Sequence, residues 1–153
     1  LETGLKGSIN TEIIERAGGR NVADGGDQRR GIANVSPEQV LLWNPDIVIT
    51  WDRNFFDRVT RRPEPYWQSV RAVADKRVYL APTAPFGWID RPPSVNRLLG
   101  VYWATFGDRN PVGAASVRQF QDRIPTVATL MGELYSRVPG ATELAALAPL
   151  DIA

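Results

Sequence analysis

The run Ile47-Val48-Ile49-Thr50 constrains this chain more than any other feature. Four β-branched residues in succession are stiff at χ1 and favour a pleated strand, and a continuous apolar run suits a strand covered on both faces. The residues ahead of it are equally informative. Ser36-Pro37-Glu38-Gln39 combines an N-cap, a proline at the first helical position and a glutamine at the third, so the spacing predicts a helix through Trp43, stopped by Asn44-Pro45. A second run, Val78-Tyr79-Leu80, comes after the turn-like Asp75-Lys76-Arg77, and a helical signal at Phe55, Phe56 and Val59 lies between the two runs. Strand, helical connection and strand predict an α/β fold, with a small, mostly parallel sheet flanked by helices.

Around this centre the signals are helical. Ile9, Ile13, Ile14 and Ala17 form a stripe that opens after Ser8 or Asn10 and closes at Gly18-Gly19. Residues 20–34 are polar and without period, which predicts a long surface loop. Ser94 is placed to cap a helix running to about Thr105, with Val95, Leu98, Leu99 and Tyr102 on one face, and further helical stretches fall at 115–137, with a break near Pro125, and at 141–147. Two strands make a poor sheet, so more are expected from residues before Leu1 or from short runs such as residues 20–23.

The length of 153 residues is that of one domain, and no apolar run reaches a membrane span. The absence of His and Cys removes thiol nucleophiles, Cys/His zinc sites, Ser-His-Asp triads and histidine acid–base chemistry from this chain. A net charge of +1 gives no bulk attraction to nucleic acid or anionic membrane. Of its 18 basic residues all but Lys6 and Lys76 are Arg, a planar donor fork matched to carboxylates and oxyanions, although a solvated surface explains most arginines. The chain opens at Leu1 with neither Met nor a leader pattern, so a fragment or a processed product is expected.

The sheet also points to candidate binding residues. Between Pro82 and Pro93 the chain carries Pro82, Pro85, Pro92, Pro93 and Gly87 together with Phe86, Trp88, Asp90 and Arg91. A stiff loop bearing aromatics and charges at the C-terminal end of a strand is where open α/β sheets take their ligands. Trp88 offers an indole face for stacking and Arg91 several donors for ligand oxygens, with Asp90 beside it to hold Arg91 or meet a cation. The simpler reading has Trp88 in the core and Asp90 paired with Arg91 or Arg97. Phe86 joins the set, although packing is the plainer role for it. Trp51 and Asp52 leave the other strand at the corresponding end and are the next candidates, and residues 3–8, ahead of a helix, carry backbone N–H groups an anion would accept.

Taken in order, GSINTEIIERAGGRNVA, VSPEQVLLWNPDIVIT, YWQSVRAVADKRVYLAP and PFGWIDRPPSVNRLLGVYWA resemble the C-terminal lobe of the class III periplasmic substrate-binding proteins of ABC importers over about residues 4–106. The resemblance implies one lobe of a two-lobe clamshell spanning residues 1–153, with the N-terminal lobe, the connecting helix and the lobe's first strand lying outside this chain. It implies capture of a chelated metal, first of all a ferric siderophore, in the cleft between lobes, with cobalamin, haem or an oxyanion such as molybdate as alternatives. No catalysis and no cofactor are implied, and a phosphate-ester enzyme using Arg and Asp is the more distant alternative. The cleft residues carried over are Trp88, Asp90 and Arg91. Glu38, in VSPEQVL, matches the surface glutamate that docks such receptors on the importer's permease, although an acid in a first helical turn is also favoured by the helix dipole. The cobalamin-binding members carry an aromatic where this chain has Gly31 and Ile32. A periplasmic, or lipid-anchored extracytoplasmic, monomer touching the membrane only through the permease is the expected setting.

Overall fold

The computed structural model describes residues 1–25, 31–83, 86–90, 96–108 and 124–135. The chain begins with strand β1 (Glu2–Gly4) and helix α1 (Glu12–Arg16), then β2 (Ile32–Asn34), α2 (Pro37–Trp43) and β3 (Val48–Thr50). Three helices, α3 (Arg53–Arg61), α4 (Pro65–Gln68) and α5 (Arg71–Ala74), carry it to β4 (Val78–Leu80), and α6 (Arg97–Asp108) and α7 (Ile124–Tyr135) come after it.

The predicted centre is present. Strands β3 and β4 pair in parallel, Val48 with Val78, Ile49 with Tyr79 and Thr50 with Leu80. Alternation along a strand sends neighbours to opposite faces, and both faces are covered. Val48 and Val78 meet a cluster of Val59, Trp67, Val70 and Ala72, with Phe55 and Phe56 of α3 packed on it. Ile49 and Tyr79 pack on the other cluster, built from Ile13, Ala81, Trp88, Ile89, Leu99, Trp103, Ala104 and Met131.

Local chemistry explains the element ends. Ser36 Oγ accepts from the Gln39 N–H at 3.2 Å, the N-cap read from sequence, and Asn44 closes α2 in the left-handed region with φ 41°. The Asn44 side chain also accepts from the Arg71 N–H at 2.9 Å, so the residue that ends α2 starts α5. Helix α1 is shorter than its apolar stripe suggests. Ser8 is spent in a turn, with Oγ accepting from the Asn10 N–H at 3.2 Å, and Thr11 becomes the N-cap. The expected glycine stop is a Schellman closure, with Gly19 N–H on Ile14 O at 2.8 Å and Gly18 N–H on Glu15 O at 3.0 Å.

Three expectations are corrected. A second sheet joins β1 to β2 antiparallel, Glu2 opposite Asn34 and Gly4 opposite Ile32, where a surface loop was expected at residues 32–34. Residues 20–23 form no strand; Ala23 is buried and its carbonyl accepts from the Lys6 N–H at 2.9 Å. In α6 the buried side is Leu99, Trp103 and Ala104, whereas Leu98 is 60% exposed, because the helix turns its Leu99 face to α1 and the loop after β4. Ser94, Val95 and the stretch at 141–147 lie outside the described residues, and within 115–137 a helix runs through Ile124–Tyr135 with Pro125 in its first turn.

Candidate functional site

Because β3 and β4 are parallel, the segments leaving their C-terminal ends emerge at one edge of the sheet. The ladder ends with the Ala81 N–H on Thr50 O at 2.7 Å. Beyond it lie Trp51 and Asp52 on one side and the segment after Pro82 on the other. The described candidates of both sets therefore lie on segments that leave a common edge, the kind of place where open α/β sheets take their ligands.

Their environments differ sharply. Trp51 and Phe86 are 46% and 51% exposed, large apolar side chains left facing out at this edge. Asp52 is exposed but occupied: its Oδ1 accepts from the N–H groups of Asn54 at 2.8 Å and Phe55 at 3.2 Å, which makes it the N-cap of α3. Asp90 is half-buried. Trp88 is 0% exposed, enclosed by Ile13, Leu99, Trp103 and Met131, and its backbone N–H is held by Pro82 O at 3.1 Å. An indole in that position presents no face to a ligand and fills the core, the simpler of its two sequence readings. Arg91 lies outside the described residues.

Arg97 places its Nη2 2.6 Å from Glu12 Oε2, tying α6 to α1. Glu12 also takes Arg16 at 3.1 Å. The Arg97 hydrogen bond first, then that of Arg16, holds the Glu12 carboxyl below its ordinary value. Glu38 is exposed in the first turn of α2, and its carboxyl is likewise lowered, by its own backbone N–H and then by the Ser36 hydroxyl. It belongs to α2, the element before β3, and not to the segments that leave the sheet edge. Among the described residues no group of three or more His, Cys, Asp or Glu is placed to hold a metal ion, and no helix is long and apolar enough to cross a membrane.

Sequence reasoning missed Asn96. It is 1% exposed, precedes α6, and its Nδ2 donates to the Gly87 carbonyl within the loop. A polar residue that far inside signals a structural task, but in sequence it is one Asn beside a helix start.

No protein-family model matches the chain. It is 35% identical over 89 residues to the molybdate-binding protein MolA of Haemophilus influenzae, a match covering 58% of this chain and 24% of that protein. Among solved structures, an ABC transporter solute-binding protein from Sulfurospirillum deleyianum superposes with TM-score 0.76 at 29% identity, over 96% of this chain and 43% of the other. Molybdate-bound MolA of H. influenzae gives 0.67 at 27%, over 92% and 40%. A periplasmic solute-binding protein from Veillonella parvula, at 23% identity and TM-score 0.68 over 97% and 44%, shares the fold. The fold is thus that of a single lobe of an ABC transporter solute-binding protein, small sheets flanked by helices. The chain spans less than half the length of each of these relatives.

Proposed function

We propose that residues 1–153 form the C-terminal lobe of the solute-binding component of an ABC importer, acting outside the cytoplasmic membrane, and that its ligand is a small oxyanion of the molybdate class. The observation that carries the reading is the likeness to MolA in both sequence and fold, 35% identity over 89 residues and TM-score 0.67. It supports the oxyanion alternative over the ferric siderophore that the sequence favoured. No bond is made or broken. The lobe supplies one wall of a cleft at the β3–β4 edge, where Trp51, Phe86 and Asp90 stand, Arg91 donates to the anion, and Trp88 holds the loop from within. Asp52 caps α3 beside them. Glu38, whose carboxyl is lowered further by its own backbone N–H and the Ser36 hydroxyl, meets a basic pocket on the permease and orients the receptor there; a charged rim contact of this kind gives orientation and on-rate more than affinity.

The test is calorimetric titration of the full natural polypeptide carrying this sequence with sodium molybdate, tungstate, sulfate, ferric siderophores, haem and cobalamin. Saturable molybdate binding, lost in Arg91→Ala and weakened in Trp51→Ala, is expected, with Glu38→Ala binding normally and transporting poorly. Binding of a ferric siderophore without molybdate would overturn the oxyanion, and turnover of phosphate esters would overturn the receptor. Residues 1–153 alone bind molybdate more weakly than the two-lobed protein, since one wall leaves the anion largely hydrated.

A further inference from the structure

We infer that Asn96 is a positioning residue of the binding edge: its buried carboxamide fixes the loop after β4 to the first turn of α6 and so sets where Phe86 and Asp90 project. The inference rests on the reading of that loop as part of a ligand site.

The loop has little regular structure of its own. Between the end of β4 and α6 its described residues form no strand or helix, and its backbone hydrogen bonds must come from elsewhere. Two are visible on either side of the same peptide. The Trp88 N–H goes back to Pro82 O at 3.1 Å, which closes the loop on its own start. The Gly87 carbonyl, on the other side of that peptide, accepts from Asn96 Nδ2, which closes the loop on the helix. Asn96 is suited to this by position as well as chemistry. Its own carbonyl accepts the Gly100 N–H at 3.2 Å, so the backbone begins α6 while the side chain reaches across to the loop.

The anchor is itself rigid. Asn96 is 1% exposed and the neighbouring Trp88 is 0% exposed. Arg97, the next residue, meets Glu12 of α1 at 2.6 Å, and Ile13 packs in the same cluster as Trp88 and Leu99. Gly100, one turn on, lies so close to the Trp88 carbonyl that any side chain would strike it. The described residues 86–90 are therefore tied to the α1–α6 pair through Gly87, with Phe86 one residue before it and Asp90 three residues after. A binding edge held this way is preorganised, because supporting hydrogen bonds fix the residues that project from it. The donor cannot be dropped cheaply either, since the half-buried Gly87 carbonyl would lose its side-chain partner.

The test uses Asn96→Asp, which keeps the shape and removes the donor, and Asn96→Ala, in the full natural polypeptide carrying this sequence, with sodium molybdate as the probe and both variants verified as folded by circular dichroism. Two readouts are taken: the molybdate Kd well below the melting temperature, and amide hydrogen exchange at Trp88 against amides of α3. About tenfold weaker binding together with about tenfold faster exchange at Trp88, the α3 amides unchanged, is the expected result. Faster exchange with an unchanged Kd would make Asn96 a merely structural residue and overturn the inference, as would no change in either. Should the unsubstituted protein ignore molybdate, the oxyanion reading fails at that step, and the exchange arm still decides whether Asn96 holds the loop: unaltered exchange at Trp88 overturns it.

Discussion

Burying a whole indole removes roughly 150–250 Å² from water, and Trp88, at 0% exposure, realises all of that inside the cluster shared by α1, α6 and α7. Trp51, at the same sheet edge, stays 46% exposed. The two tryptophans are distinguishable by mutation. Trp88→Ala leaves a large cavity and is expected to cost about 3–5 kcal/mol, whereas Trp51→Ala, removing a half-exposed ring, costs no more than about 0.5 kcal/mol. Urea denaturation followed by circular dichroism measures both; an equal, small cost would mean that Trp88 is not a core residue. Loss of ligand binding in Trp88→Ala would then report a disturbed fold, and Trp51→Ala is the substitution that speaks to contact. Asp52 shows the same economy of side-chain roles. Its position after β3 marks it as a site candidate, yet its carboxylate accepts from two N–H groups at the start of α3.

Elements meet in this lobe with little room. In a helix interior Ala is ordinarily more favourable than Gly by about 0.8–1.0 kcal/mol, so Gly100→Ala in α6 looks like a stabilising change. Its Cβ would overlap the Trp88 carbonyl oxygen and stand 2.8 Å from the Trp88 carbonyl carbon and 2.9 Å from Ile13 Cδ1. Backbone must move to admit it, and the expected outcome is a lower melting temperature, with the sign opposite to helix propensity. A thermal melt that rises would show that α6 and the loop separate without cost. The short helix α2 is the contrasting case. Its start and stop were legible because they are local: Ser36 bonds three residues on, and Asn44 takes its own left-handed turn. The buried face of α6 was not legible, since Leu98 and Leu99 differ only in which neighbour each one meets.

At the scale of the whole molecule, two glutamates make stability depend on acid. Glu12 and Glu38 both sit below the ordinary carboxyl value of 4.5, Glu12 through Arg97 and Arg16, Glu38 through its own N–H and Ser36. A carboxyl lowered in the folded state stabilises it above the unfolded value and loses that contribution as pH falls through the folded value. The urea midpoint should therefore decline from neutral to acid pH, and Glu12→Gln should flatten the decline; a midpoint unchanged by acid would exclude this linkage. Glu12 also shows how the sequence and the fold divide the work. Its i,i+4 partner Arg16 is evident in the chain, but Arg97, 85 residues away, is not. By itself the sequence determined the β3–α3–β4 centre, the caps of α2, the glycine closure of α1 and the common character of the two strand-end segments. All of these depend on backbone preferences and hydrogen bonds within a few residues. Only the tertiary structure decided the pairing of Glu2–Gly4 with Ile32–Asn34, the burial of Trp88 against the exposure of Trp51, and the reach of Asn96 to Gly87. Those outcomes turn on which distant surfaces meet, and burial and long-range pairing are set by neighbours in space that no local period encodes.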